Sequence, residues 1–135
     1  MFSKNVYIAP LHEHTDPDRL VEPARNEGAD CVYLLQDDSV TEEVVATVTK
    51  QLTDNGASVE TVPCDVTDVY SIFGHVTTIA DDHDDDVCVN VSTGTKRSAI
   101  GATLGCMDDE TDATAYFVED TEPAVRTQEN RSVFE

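Results

Sequence analysis

The sequence predicts an α/β fold, a doubly wound three-layer sandwich around a mainly parallel sheet of five or six strands, Rossmann-like in layout. Three observations carry this expectation. Short apolar runs alternate along the chain with longer stretches whose apolar residues recur at helical spacing. Such alternation builds right-handed βαβ units and therefore parallel strands. The runs CVYLL and VCVNV are almost continuously apolar, as befits strands covered on both faces.

The elements follow in order. Residues 5–10 (NVYIAP) read as a first buried strand, and residues 11–16 as a polar loop. A helix is expected over 17–27, with Asp16 as N-cap, Pro17 at the first helical position and Gly28 at the stop. Residues 31–35 form a second strand. Residues 40–55 form a second helix with Val44, Val45, Val48 and Leu52 on one stripe, ended by Asn55 and Gly56. A third strand spans 58–63. A third helix over 66–80 carries Val69, Ile72, Phe73, Val76 and Ile79. After a solvated acidic turn come a fourth strand at 87–91, a fourth helix at 96–107 and a fifth strand at 113–118. Residues 1–120 are thus expected to form the Rossmann-like domain, and 121–135 a polar tail or linker toward a further effector domain.

The net charge is -20, from 28 acidic residues against 8 Lys and Arg, and it is spread over the whole length. This pattern suits a folded protein solvated in high salt, where screening over a few ångströms tolerates self-repulsion. No basic stripe exists to neutralise phosphates of a duplex, so this domain is not expected to grip DNA itself. No run of eighteen apolar residues and no signal peptide is readable, which points to the cytoplasm and away from membranes. Carboxylates are hard ligands, but no EF-hand spacing occurs, and no metal or cofactor is expected. Cys31, Cys64, Cys88 and Cys106 show no C-x-x-C spacing and read as core thiols. His75 and His83 read as structural or solvent-facing.

With strand order 3-2-1-4-5, winding reverses between the first and fourth strands, and ligands bind beyond the carboxyl ends of strands at such a reversal. Two loops meet there. One opens with Leu11 and His12; the other runs Ser92-Thr93-Gly94-Thr95 into Lys96 and Arg97. Hydroxyls, a glycine permitting close approach, and the unpaired amides of a helix N-terminus are what a phosphate oxygen requires. Arg19 in the first helix lies within reach of the same crevice. The plainer alternative is that Ser92 or Thr95 caps the fourth helix while Lys96 and Arg97 stay solvated. Replacing Gly94 by Val is expected to abolish binding and leave the fold largely intact. His12 and His14 suit either a solvated loop or acid–base chemistry on a phosphodiester. Neither a Walker A loop nor a G-x-G-x-x-G turn is present.

The segment Asn90-Val91-Ser92-Thr93-Gly94-Thr95-Lys96 resembles the signature loop of CARF proteins, the CRISPR-associated Rossmann-fold sensors. That signature places a polar residue at the end of the fourth strand, followed by a Ser/Thr–Gly–Gly–Thr–Lys-like loop opening a helix. The chain departs from it at Thr93, where the family usually has a glycine. The first loop, with Leu11 and His12, corresponds to the family's second ligand-facing segment. The nearest subgroup is the sensor domain of haloarchaeal CARF-type transcriptional regulators. The resemblance implies a homodimer that binds a nucleotide signal such as a cyclic oligoadenylate through Leu11, His12, Asn90, Ser92, Thr93, Gly94, Thr95, Lys96 and Arg97. No catalytic residue is assigned. The alternatives are a ring nuclease that slowly cleaves the cyclic nucleotide, and a generic nucleotide-binding stress protein.

Moving the protein from molar salt to low ionic strength lengthens the screening distance from about 3 Å to about 30 Å. The melting temperature should fall on desalting, as followed by circular dichroism; a melting temperature that holds or rises contradicts the halophilic reading.

Overall fold

A computed structural model describes residues 5–13, 15–83, 87–91 and 93–107, with the strand backbone at 86, 113–117 and 125–126. Six strands form one sheet in the order β3-β2-β1-β4-β5-β6. They are β1 (Asn5–Leu11), β2 (Cys31–Gln36), β3 (Ser58–Pro63), β4 (Asp86–Asn90), β5 (Ala113–Phe117) and β6 (Val125–Arg126). The first five are parallel, and β6 pairs antiparallel with β5. The helices are α1 (Pro17–Asn26), α2 (Glu42–Asp54), α3 (Val69–Asp81) and α4 (Lys96–Met107). The short β6 falls inside the stretch read as tail or linker; the rest of that stretch lies outside the described residues.

Side chains of a strand alternate between faces, and β1 divides the core accordingly. Val6 and Ile8 join Ile72, Val76, Val89 and Ala102 on the side of α3 and α4. Tyr7, Ala9 and Leu11 join Leu20, Val21, Leu34, Val48 and Leu52 on the side of α1 and α2. Helices therefore cover both faces of the sheet. Each fully buried Ile or Leu contributes about 1.5–3 kcal/mol relative to an exposed one.

Helix starts follow caps rather than apolar periodicity. Asp16 accepts the amide of Asp18 and caps α1, and Gly28 ends it with φ 66°. The second helix begins at Glu42 rather than 40, because Thr41 accepts the Val44 amide. The third begins at Val69 rather than 66, because Asp65 folds back on the amide and hydroxyl of Thr67 (3.0 and 2.6 Å) and Asp68 then caps the helix. Val66 is still fully buried, but from the turn. Nε2 of His83 lies 2.8 Å from the Tyr33 hydroxyl, beside the C-terminal end of α3. Burial, with Cys31, Glu60 and Asp82 nearby, pushes Tyr33 up to about 12. All four cysteines carry thiols rather than disulfides.

Close packing of α4 on α3 depends on glycine. A Cβ on Gly101 would stand 2.5 Å from the Val69 carbonyl and 2.9 Å from Ile72 Cβ, and one on Gly105 2.8 Å from Val76 Cγ1. Gly74 in α3 faces open space. The same substitution should therefore act with opposite signs. Gly101→Ala should cost about 1–3 kcal/mol by overpacking. Gly74→Ala should add about 0.4–1 kcal/mol by restricting the unfolded chain. Thermal melts of both variants check this; equal shifts would show that the two helices do not meet as described.

Candidate functional site

The carboxyl rim of β1 and β4 is held together by buried polar groups. Pro23 sits inside α1 and has no N–H to donate to the carbonyl four residues back, which is that of Arg19. The side-chain amide of Asn90, at the end of β4, donates to that carbonyl at 3.0 Å. It also donates to the Tyr7 hydroxyl on β1 at 2.8 Å, and Asn90 itself is fully buried. One side chain thus fixes the end of β4, the middle of β1 and the first turn of α1. Asn90 was expected to face a ligand; its buried side-chain amide instead ties the framework together.

The loop after β4 is locked to the loop after β1. Thr93, 3% exposed, donates its hydroxyl to the Pro10 carbonyl at 2.5 Å. Its own carbonyl accepts the hydroxyl of Thr15. Thr15 in turn closes a small turn, taking the His12 amide on its hydroxyl at 2.9 Å and donating its amide to the His12 carbonyl at 3.0 Å. Leu11 is fully buried in the core, so only its main chain reaches the rim. His12 is half-buried. Ser92 and His14 lie outside the described residues.

Thr95 caps α4. Its hydroxyl accepts the Ser98 amide at 3.0 Å and donates to the Val66 carbonyl at 2.5 Å, tying in the loop after β3. Ser98, fully buried, returns its hydroxyl to the Thr95 carbonyl at 2.8 Å. The capping alternative raised by the sequence is therefore realised at Thr95, and the hydroxyls of Thr93 and Thr95 are both engaged by main-chain groups. What the loop offers an anion is its backbone: the amides of Lys96 and Arg97 open the helix and have no intrahelical acceptor. Both side chains are exposed, and the Arg97 guanidinium donates to the Thr67 carbonyl at 3.5 Å.

Gly94 requires a correction. Its φ is not positive, and a Cβ there would collide with the Ser98 hydroxyl and stand 2.8 Å from Pro10 Cβ. Glycine is needed so that the loop can lie on β1 and the first turn of α4. Gly94→Val would unseat the loop itself, and so does not isolate ligand approach from local folding.

Sequence reasoning passed over Thr15, Tyr7, Ser98 and the pairing of Pro23 with Asn90. A proline four residues after Arg19 was the available signal for the last. Among the described residues no group of three or more His, Cys, Asp or Glu is placed to hold a metal, and no helix is long and apolar enough to cross a membrane.

This geometry defines a Rossmann-like α/β domain whose two switch-point loops are cross-linked and end in an exposed basic helix start. A family model described as "HFX_2341_N:-like, N-terminal" matches residues 5–123, and the chain belongs to that family. No curated protein matches. Among solved structures the chain is similar to Can2 from Sulfobacillus thermosulfidooxidans in complex with cyclic tetra-adenylate, with TM-score 0.75 at 16% identity over 90% of this chain. It is also similar to Enterococcus italicus Csm6 bound to cyclic hexa-2'-fluoro-hexa-dAMP, with TM-score 0.71 at 10% identity over 98%. A third is a type III CRISPR defence DNA nuclease activated by cyclic oligoadenylate, with TM-score 0.71 at 17% identity over 88%. The chain spans only 34%, 38% and 19% of those three chains. At these identities the likeness establishes a shared fold.

The Thr93 hydroxyl is buried against main chain, so Thr93→Val should cost about 1–3 kcal/mol and lower the melting temperature. Thr95→Ala should lose about 0.5–2 kcal/mol of helix capping. Chemical denaturation checks both; a neutral Thr93→Val would remove the cross-link between the loops.

Proposed function

We propose that this chain is a CARF-type ligand-sensing domain that binds a cyclic oligoadenylate across the rim formed by Leu11, His12 and residues 92–97. The observation carrying this is the position of the α4 N-terminus. Its open amides, with Lys96 and Arg97, stand at the switch point between β1 and β4, where α/β sheets take their ligands. The ligands named for Can2 and Csm6 support the chemistry.

In this reading the working unit is a homodimer. The outer face of α3 and α4 exposes Tyr70 (85%) on α3 and Met107 (71%), Ile100 (53%) and Leu104 (46%) on α4, the helix that begins with Lys96. A twofold axis through that face repeats the patch on both copies. With that axis parallel to the strands, the two rim loops fall on one side, which suits a cyclic ligand with an even number of nucleotides. The domain passes the signal to an effector segment of a transcriptional regulator in a halophilic, cytoplasmic setting, and its acidic surface leaves DNA contact to that segment. The engagement of the Thr93 and Thr95 hydroxyls by main-chain groups favours binding over rapid cleavage.

Calorimetric titration with cyclic tetra-adenylate in molar KCl tests the reading. Binding is expected, with Lys96→Ala about tenfold or more weaker through loss of a charge-assisted contact. No binding by the wild type, or equal binding by Lys96→Ala, would refute it. Sedimentation should show a dimer that Leu104→Glu dissociates; a wild-type monomer would contradict the twofold arrangement.

A further inference from the structure

Thr15 lies in the first rim loop, half-buried, a few residues beyond the end of β1 at Leu11. Its hydroxyl works in both directions, accepting the His12 amide at 2.9 Å and donating to the Thr93 carbonyl. Its own amide donates to the His12 carbonyl at 3.0 Å. Thr93 in turn donates its hydroxyl to the Pro10 carbonyl at 2.5 Å. The chain from Pro10 to His12 closes these bonds into a ring that spans both loops. A hydroxyl carries a proton to give and lone pairs to accept with. Serine or threonine therefore fills this place, and an aliphatic residue of the same shape does not.

Part of the ring holds the fold and part holds the site. The loop after β4 is seated without Thr15: Thr93 bonds to Pro10, Gly94 lies against Pro10 and Ser98, and Thr95 bonds to Val66. Helix α1 starts on its own Asp16 cap, and Asn90 ties the first turn of that helix to β4. What the Thr15 hydroxyl adds is the spacing between His12 and the residue that precedes Gly94. One of its partners is a contact residue of the first loop in the proposed site, and the other belongs to the second loop. Hydrogen bonds that support contact residues in this way set the precision of a binding site. Loops ordered beforehand also need no ordering when the ligand arrives.

We propose that Thr15 is a positioning residue of the rim site: its hydroxyl sets His12 against the start of α4, so that a cyclic oligoadenylate meets both loops in one arrangement. This role rests on the reading of the rim as the ligand site. Thr15 acts through its two neighbours, since its proton goes to Thr93 and its lone pair to the His12 amide. Removing the hydroxyl loosens His12 and lowers affinity while the fold stands.

The test compares Thr15→Val, Thr15→Ser and Thr47→Val in the full chain in molar KCl. Thr47 on α2 also donates its hydroxyl to a main-chain carbonyl, that of Glu43 at 2.9 Å, and so reports the loss of such a bond away from the rim. In the free protein, hydrogen exchange at the His12 amide should be slow in the wild type and in Thr15→Ser, and about tenfold faster in Thr15→Val. Calorimetric titration with cyclic tetra-adenylate should find Thr15→Val about fivefold weaker, the worth of one hydrogen bond. Thr15→Ser should recover most of that loss, and Thr47→Val should match the wild type. Wild-type affinity in Thr15→Val, no recovery in Thr15→Ser, or an equal loss in Thr47→Val overturns the positioning role while leaving the loop reading intact. If Thr15→Val does not fold, the wild-type exchange rate and Thr15→Ala decide, and an unprotected His12 amide overturns the role by itself. Absence of binding by the wild type overturns both readings.

Discussion

The side-chain amide of Asn90 joins three elements at a single buried point, with the Tyr7 hydroxyl on one side and the Arg19 carbonyl on the other. Proline inside a helix costs about 3 kcal/mol, because an acceptor loses its donor and the ring crowds the turn before it. In α1 the affected carbonyl is turned to use, since Asn90 donates to it from the neighbouring strand. That contact sets where β4 ends against α1, and so where the loop after β4 begins. Thr93 and Thr95 then fasten this loop to the loops after β1 and β3. The start of α4 is thus fixed from three sides, which is the preorganisation a rigid anion site needs.

Much of the architecture was legible because it rests on local signals. The bounds of β3 and α4, the Asp16 cap with Pro17 behind it, and the stop at Gly28 all follow from residue chemistry within one turn. The strand order and its switch point followed from the βαβ alternation. The helix starts at Glu42 and Val69, behind the Thr41 and Asp68 caps, were less legible, because Val40 and Val66 continue the apolar periodicity while lying in turns. The detailed site was the least legible part. A row of hydroxyls reads the same whether it faces a phosphate or a carbonyl, and the partners of Thr93 and Asn90 lie far away in sequence, at Pro10, Tyr7 and Arg19. The same holds for Gly94, whose need for glycine comes from Pro10 and Ser98 rather than from backbone conformation.

Helix α4 joins the rim to the outer face of the domain. Its first turn is the basic rim and its inner face approaches α3 through Gly101 and Gly105. Its outer face carries Ile100, Leu104 and Met107 into solvent. Close packing through glycines leaves little slack, so a shift at the rim moves the outer face as a body. In the proposed reading, a ligand that draws on the α4 amides acts through this helix on whatever covers that apolar surface.

The central claim is that the ligand engages the main chain at the start of α4. Amide-resolved NMR during titration with cyclic tetra-adenylate tests this directly. The account predicts the largest shifts at Gly94, Thr95, Lys96 and Arg97, with the opposite rim around Gly28, Asn55 and Gly56 unmoved. Shifts confined to that opposite rim, or a saturating titration that leaves residues 94–97 unchanged, would contradict it.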